Sequence, residues 1–594
     1  MMAAADRGWF RHSSDTNDTT KVASGPEKRP PPTRSINDRG YRLIDEAAAR
    51  GLNHTVGLQR PRTEDGLWLW QSGLGGAGVL DLDLDGWPDL HLTASGGKDG
   101  GGPGSRDNQP NTTARNLAGQ FVDVSNASGL ADPGFTQGVG IGDFNADGFP
   151  DCLIANIGIN TLYRNNGDGT FTNVTEWMFD DPEEAFSADG TATTAVGNDP
   201  RNTWTSSVAM ADIDQDGLSD LIEINYCGGP TPYQQRCLDA IIKKYRSCQP
   251  ITLPAERDRV HRNRGAIKTS SLFEDQTDQW FASSDPGRGL GILVGQIDGV
   301  DGLDLYISND MTANHFWRFE TATKSLNEQA TIRGVAFNHQ SAAEASMGIA
   351  ATDAYGDLDL DLYVTHFTDE SNTFYEQVRA GLFQDTTDSV DLAAPSRDML
   401  GFGTQFVDLD GDAIDELVVA NGHIDEFRHK DLQYEMPAQL YAIDSENKWQ
   451  WVRDSAIGHY FDEPRMGRAM ATLDANRDGQ TDLVVTDLFR PTALLINQTP
   501  RTTDSLSVRV VGVRSERDAI GTTILATTSS GVQMRQRMAG SGYQSSNEPV
   551  LSFAIPEGDS EVELEVRWPS GTQQNITVSL PQQELLLIEP ASGD

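Results

Sequence analysis

No run of about eighteen apolar residues occurs anywhere in the 594-residue chain, so no transmembrane helix is predicted. Positive charge is also scarce. The 46 Lys and Arg stand against 88 Asp and Glu, a net charge of −42. A nucleic-acid backbone or an anionic membrane surface requires a basic stripe, and none is present, which argues against both as partners. Such an acidic excess calls instead for bound divalent cations to offset self-repulsion. Cysteine is sparse at four residues, and no Cys-x2-Cys pair exists to suggest a zinc site. Cys227, Cys237 and Cys248 fall in one short Gly/Pro-bearing insertion where a local disulfide is expected; Cys152 lies apart. The first residues, including Arg29-Pro-Pro-Pro32, lack the apolar core of a signal peptide, and 1–40 reads as a disordered polar leader. No Gly-x-Ser-x-Gly elbow, His-Glu-x-x-His helix or phosphate loop is found.

What is abundant is internal repetition. An acidic loop recurs at Asp81, Asp143, Asp212, Gln296, Asp353, Asp408 and Asp474, at intervals of about 65 residues, which is a propeller-blade period. Each loop precedes a short β-branched run such as Leu417-Val-Val-Ala or Leu483-Val-Val-Thr, too short for a helix. The pattern predicts an all-β fold, a seven-bladed β-propeller over 41–500. Tyr41-Arg-Leu-Ile-Asp45 matches the strand that opens later units but precedes any complete one. It is therefore expected to pair near Leu494-Leu-Ile-Asn497 and close the ring. After Pro500 the loops stop, and alternating runs such as Val562-Glu-Leu-Glu-Val-Arg predict a small β-sandwich-like domain over 501–594.

The loop chemistry is clearest in Asp81-Leu-Asp83-Leu-Asp85-Gly86-Trp-Pro-Asp89. Carboxylates at positions one, three and five converge if the chain curls tightly, and Gly at position six permits the turn. Position nine adds a further acid from the next strand. Hard oxygens without His or Cys suit Ca²⁺. Three further copies keep this set: Asp143, Asn145, Asp147 and Asp151; Asp212, Asp214, Asp216 and Asp220; Asp474, Asn476, Asp478 and Asp482. An EF-hand would need an acid at position twelve and helical flanks, whereas Leu92, Ile154 and Val485 stand there. An isolated acidic stretch could be a solvated turn, but packing three or four carboxylates repeatedly without a cation would be repulsive.

Three copies are degraded. Asp408, Asp410, Asp412 and Glu416 remain acidic, with Ala413 replacing Gly, so binding with strain is expected. The copy with Tyr355 and Leu358 leaves Asp353, Asp357 and Asp361 for weak binding. In the copy at Gln296, Val300 leaves Asp298 and Asp304, with Asp301 out of place, and no regular site is expected. About four to six Ca²⁺ ions are predicted in all, each held by one local hairpin and therefore structural.

The loops, with Asn160-Thr-Leu-Tyr-Arg-Asn-Asn-Gly-Asp-Gly-Thr-Phe, resemble the FG-GAP/VCBS repeats of integrin α propellers and many secreted bacterial proteins. Arg517-Asp-Ala-Ile-Gly521, Gly540-Ser-Gly-Tyr543, Asn547-Glu-Pro549 and Val566-Arg-Trp-Pro-Ser-Gly571 look like the ASPIC/UnbV domain. With Asn421-Gly-His423 and Pro437-Ala-Gln-Leu-Tyr441, the order over about 41–590 is similar to the cartilage acidic protein family. Ser546 departs from the Gln usual in the tail motif. The resemblance implies a secreted or periplasmic calcium-binding scaffold of adhesive type, with a protein or glycan ligand and no transferable catalytic residues. Relatives in biosynthetic clusters suggest an accessory role as one alternative. The other is a polysaccharide lyase on a calcium propeller, for which His261, Arg262 and Arg264, or His423 beside Asp425 and Glu426, are the candidate groups.

Overall fold

The computed structural model describes residues 29, 32, 34–58, 66–96, 102–103, 105, 108–179, 203–268, 271–281, 285–426 and 433–591. These residues are all-β in architecture. One four-stranded antiparallel meander recurs along the chain. In its first copy Ala77–Leu80, Asp89–Leu92, Thr112–Asn116 and Phe121–Asp123 pair in chain order. In a later copy Gly401–Val407, Glu416–Asn421, Gln439–Ile443 and Trp449–Trp451 do the same. The final meander is built from both ends of the chain. Gly467–Leu473, Asp482–Asp487 and Ala493–Asn497 are completed by Leu43–Asp45, with Leu43 opposite Asn497 and Asp45 opposite Leu495. The pairing expected between residues 41–45 and 494–497 is present.

Apolar clusters sit between consecutive meanders. Val139 and Ile154 of one meet Leu80 and Leu82 of the one before. Ala77, Val79 and Leu90 of the first meet Ala469, Leu473 and Val484 of the last. The first strands of neighbouring meanders approach so closely that side chains are excluded there. A Cβ on Gly348 would lie 2.1 Å from the Phe402 carbonyl oxygen, and one on Gly403 would lie 2.4 Å from that of Arg468. Glycine in these strands is thus a packing requirement.

Beyond residue 500, Leu551–Pro556, Thr503–Val511 and Glu584–Ile588 form one sheet, and Gly531–Gln536, Thr523–Thr528, Glu561–Arg567 and Gln573–Ser579 form another. They enclose a shared core of Leu506, Val508, Phe553, Ile524, Leu564 and Val566. Residues 539–548 leave this domain and enter the meanders. Ala539–Gly540 pairs with Gly289–Gly295, and Ser545–Ser546 pairs in parallel with Ala77–Gly78. Between them Tyr543, 1 % exposed, joins the central cluster of Trp204, Met347, Phe402 and Met466.

The insertion carries a Cys237–Cys248 disulfide, while Cys152 and Cys227 are buried free thiols. Of the stretch read as a leader, residues 1–28 lie outside the described residues. Its C-terminal end is packed: Ile36–Asp38 forms a single turn and the Arg39 side chain is wholly buried.

Burial pushes His54 down to about 3 and His315 down to about 4. An unfolded imidazole titrates near 6.5, so the unfolded chain binds more protons between that value and the folded one. Stability is therefore complete above about pH 6.5 and should fall below it by roughly 1.4 kcal/mol per pH unit for each such histidine. Urea unfolding between pH 4.5 and 7 should show a shallower acid limb in His54→Gln than in the native chain.

Candidate metal centres

Each acidic loop joins the first strand of a meander to the second, and in all but the fourth its shape follows from two carboxylates. The position-one side chain folds inward and accepts backbone N–H groups from positions five and six. Asp81 receives them from Asp85 and Gly86, both at 3.0 Å, and Asp212 from Asp216 and Gly217 at 3.0 and 2.8 Å. Asp143, Asp353, Asp408 and Asp474 repeat the arrangement. The turn needs left-handed backbone at positions four and six. Leu84 and Gly86 supply it at φ 56° and 88°, whereas in the degraded copies glycine moves to position four, at Gly356 and Gly411, and Leu358 and Ala413 take φ 63° and 70° at position six. Ala413 thus holds the left-handed backbone where strain is expected, and every loop but the fourth carries a single non-glycine residue in this region.

The position-nine carboxylate ties the loop to the sheet. Asp89 accepts from Leu82 N–H at 2.8 Å and Asn116 N–H at 2.6 Å; Asp220 accepts from Ile213 and Asn263, and Asp482 from Ala475 and Asn497. The same asparagines then reach the preceding loop. Asn165 donates its amide to the Leu82 carbonyl, Asn263 to Phe144, Asn497 to Leu409 and Asn116 to Ala475 of the last loop.

Among the described residues, three loops gather acids closely enough for a cation. Asp81, Asp83 and Asp85; Asp212, Asp214 and Asp220; and Asp408, Asp410 and Glu416 each place one carboxylate oxygen within 4.8 Å of the others. In all three the position-three acid keeps a buried oxygen without a hydrogen-bond partner: Oδ1 of Asp83, Oδ1 of Asp214 and both oxygens of Asp410. Buried carboxylate oxygens are normally paired, so these donor sets fit a hard divalent ion. Desolvation raises Asp89, Asp143 and Asp212 to about 7 and Asp151 to about 9. A bound cation would displace the protons that such acids hold.

The second and seventh loops are arranged differently. Asn145 and Asn476 donate their amides to Asp147 and Asp478, both at 2.9 Å, and the loops are instead met by the C-terminal domain. Asp518 accepts the Asp143 N–H at 2.7 Å and Glu548 accepts the Asp474 N–H at 2.9 Å. In the fifth copy Asp361 accepts from Ala354 and Gln377, and Asp353, Asp357 and Asp361 are not among the converging sets.

Sequence reading missed the arginines. Arg115 pairs with Asp83 and lies 3.2 Å from Asp85, and Arg262 pairs with Asp216 and, at 2.5 Å, with Asp214. Arg318 pairs with Asp298, which also meets Arg333 at 2.8 Å, so guanidinium groups fill the irregular fourth loop. In the sixth loop the cation comes from outside the repeat. Arg39 Nη1 donates to Glu416 Oε1 at 3.0 Å and lies 3.5 Å from Asp412, with Nε 3.9 Å from Asp410; Tyr41 donates to the same Glu416 oxygen at 2.7 Å. The available signal was the Arg-Asn pair that follows the Leu-Tyr strand in Asn160-Thr-Leu-Tyr-Arg-Asn165, repeated at Arg115-Asn116 and Arg262-Asn263. Nothing comparable marks Arg39.

Of the groups considered for a lyase, His261, Arg262 and Arg264 lie on one strand, whereas His423 and Asp425 line one cavity. His261 is buried 3.4 Å from Glu223, Arg262 belongs to the third loop, and Arg264 donates to Ser271. His423 is fully buried and accepts the Asp425 N–H at 3.0 Å.

Residues 143–222 match the family model of the FG-GAP-like repeat, and residues 512–594 match that of ASPIC and UnbV. The chain thus carries an FG-GAP-like repeat and a C-terminal ASPIC/UnbV domain. No curated protein matches it. Among solved structures it is similar to BBS1N, solved in complex with ARL6DN, at 10% identity over 75% of this chain and 99% of that chain, with a TM-score of 0.38. It is also similar to an Agrocybe aegerita lectin solved for recognition of non-reducing terminal N-acetylglucosamine, at 14% identity over 72% and 92% of the two chains, with a TM-score of 0.35. Both overlaps are remote.

Removing the Arg39 charge strands Asp410 and Glu416 in the interior. Arg39→Met should cost about 3–5 kcal/mol in metal-free urea unfolding, the range for breaking a buried ion pair. Millimolar Ca²⁺ should recover part of that loss, because the space among Asp408, Asp410 and Glu416 is then open to an ion. Unchanged unfolding midpoints would mean that the guanidinium has no part in holding the loop.

Proposed function

We propose that the meanders form a closed, seven-bladed, integrin α-like β-propeller whose acidic loops hold structural Ca²⁺, and that the protein serves as an extracellular or periplasmic binding scaffold for a protein or glycan ligand. The observation that carries the metal reading is the buried, unpartnered carboxylate oxygen at position three in each of three converging loops. The donors are carboxylates without His or Cys, which favours calcium over zinc or copper. Ring closure is supported by the Leu43–Asp45 pairing and by the cluster joining the first meander to the last. FG-GAP repeat proteins are typically extracellular or periplasmic, and the Cys237–Cys248 disulfide is in keeping with an oxidising compartment.

A structural role fits better than a catalytic one because each loop draws its ligands from one local hairpin and the arginines close over the outer carboxylates. The first and third loops are the strongest sites. The second, fifth and seventh retain ligand-type residues; the fourth is served by arginine, and the sixth is contested by Arg39. With affinities of about 10⁻⁴ to 10⁻³ M and about 1 mM free ion, each occupied site adds about 0.4–1.4 kcal/mol.

Thermal melting followed by circular dichroism checks this reading. Chelation with EDTA should lower the midpoint by several degrees, and excess Ca²⁺ should restore it where equimolar Mg²⁺ does not. Asp83→Asn and Asp214→Asn should each shrink the calcium-dependent shift. A midpoint indifferent to EDTA would overturn the structural-calcium role.

A further inference from the structure

The segment 539–548 closes one end of the central axis. Towards the opposite side of Tyr543, the described residues enclose a cavity of about 220 Å³. Its walls are aromatic: Trp204 and Tyr226 pack edge to face at 4.8 Å, and Phe402 and Tyr543 do so at 5.1 Å. Its charged lining is mainly acidic. Asp310, Asp369, Glu370 and Asp425 line it together with His423 and Arg246, whose guanidinium lies 3.4 Å from Asp239 outside the lining.

The acids are fixed in place. Tyr226 donates its hydroxyl to Asp310 at 2.5 Å, and Ala345 N–H donates to Glu370 Oε2 at 2.9 Å. Asp425 accepts the Ser247 N–H at 3.1 Å. Burial raises Asp310 to about 6 and Glu370 to about 7. Arg288 eases Asp310 in part while donating Nη2 to the Leu253 carbonyl. Arg468 stacks on Phe402 beneath the cavity and donates to the carbonyls of Ser72, Gly422 and Gly467. Two lining residues, Met311 and Asp369, hold left-handed backbone at φ 58° and 76°. Such strain in non-glycine residues concentrates at ligand sites.

We propose that this axial cavity binds a small organic cation, a primary ammonium on an apolar stem, with Asp310 and Glu370 receiving the ammonium and the rings of Trp204 and Tyr226 enclosing the stem. Aromatic faces attract a cation through their quadrupoles, and buried carboxylates make charge-assisted hydrogen bonds to it. An apolar cavity of about 150 Å³ accepts benzene, which scales to about nine non-hydrogen atoms here. The site is separate from the acidic loops and does not depend on their occupancy.

Isothermal titration of the full chain at pH 7.5 and constant Ca²⁺ tests the assignment, with 2-phenylethylamine as probe and 2-phenylethanol and phenylacetate as neutral and anionic controls. The amine should bind one to one and at least tenfold more tightly than either control. Asp310→Asn and Glu370→Gln, each with an unchanged melting temperature, should weaken the amine at least fivefold. If Asp310→Asn fails to fold, Glu370→Gln decides. N-acetyl-lysine amide gives the source: tighter binding than the free amine assigns the ammonium to a protein side chain, and weaker binding assigns it to a free metabolite. Equal binding of amine and alcohol, no binding of the amine, or wild-type affinity in the folded variants would overturn the proposal.

Discussion

In the first, third, fifth and seventh loops the acid at position nine is the link through which the meanders hold their spacing. Asp89 shows the pattern: one oxygen takes the N–H of its own loop and the other takes the N–H of the third strand, so a single carboxylate locks loop and sheet together. The asparagine supplying that second N–H sends its side-chain amide to the loop of the preceding meander. In the first meander this amide belongs to Asn116, and its acceptor is the Ala475 carbonyl of the last. Such hydrogen bonds tie neighbouring sheets together, and apolar wedges fill the spaces between them.

This scheme places carboxylates where water cannot reach them, in a chain with a net charge of −42. Three kinds of cation answer that problem. Protons do so at the acids whose affinity burial has raised; guanidinium groups do so at the fourth and sixth loops; divalent ions answer it in the proposed sites. The alternatives are exchangeable, since a loop that loses its ligand set can be retained if an arginine lies within reach. Arg318 and Arg39 come from different parts of the chain and meet the same need.

Much of the plan was legible because it is periodic. The loop spacing, the β-branched run after each loop and the closing strand at residues 41–45 are written in local patterns that repeat. Contacts across long separations were not. Arg39 sits 377 positions before Glu416 and follows a polar, proline-rich stretch, so local composition marked it as disordered although its side chain is buried. The Gly540-Ser-Gly-Tyr543 motif was visible as a motif, but its insertion among the meanders follows from strand pairing with partners in other sheets. Spacing showed that Cys227, Cys237 and Cys248 were neighbours without choosing between them. The structure pairs Cys237 with Cys248 and leaves Cys227 in the core.

The pairing of Leu43–Asp45 with Ala493–Asn497 bears on how the chain is made. Asp45 and Leu494 meet across 449 intervening steps of sequence, so the opening strand leaves the ribosome with its partner still unmade. Each intermediate meander can stack on its predecessor as it emerges, since neighbours in sequence are neighbours in space. The last cannot be completed until residues 493–497 have been made, and Tyr543 cannot seat until later still. Until then the first and last sheets each expose an apolar wedge, the period in which a nascent chain is most open to a neighbour's strand.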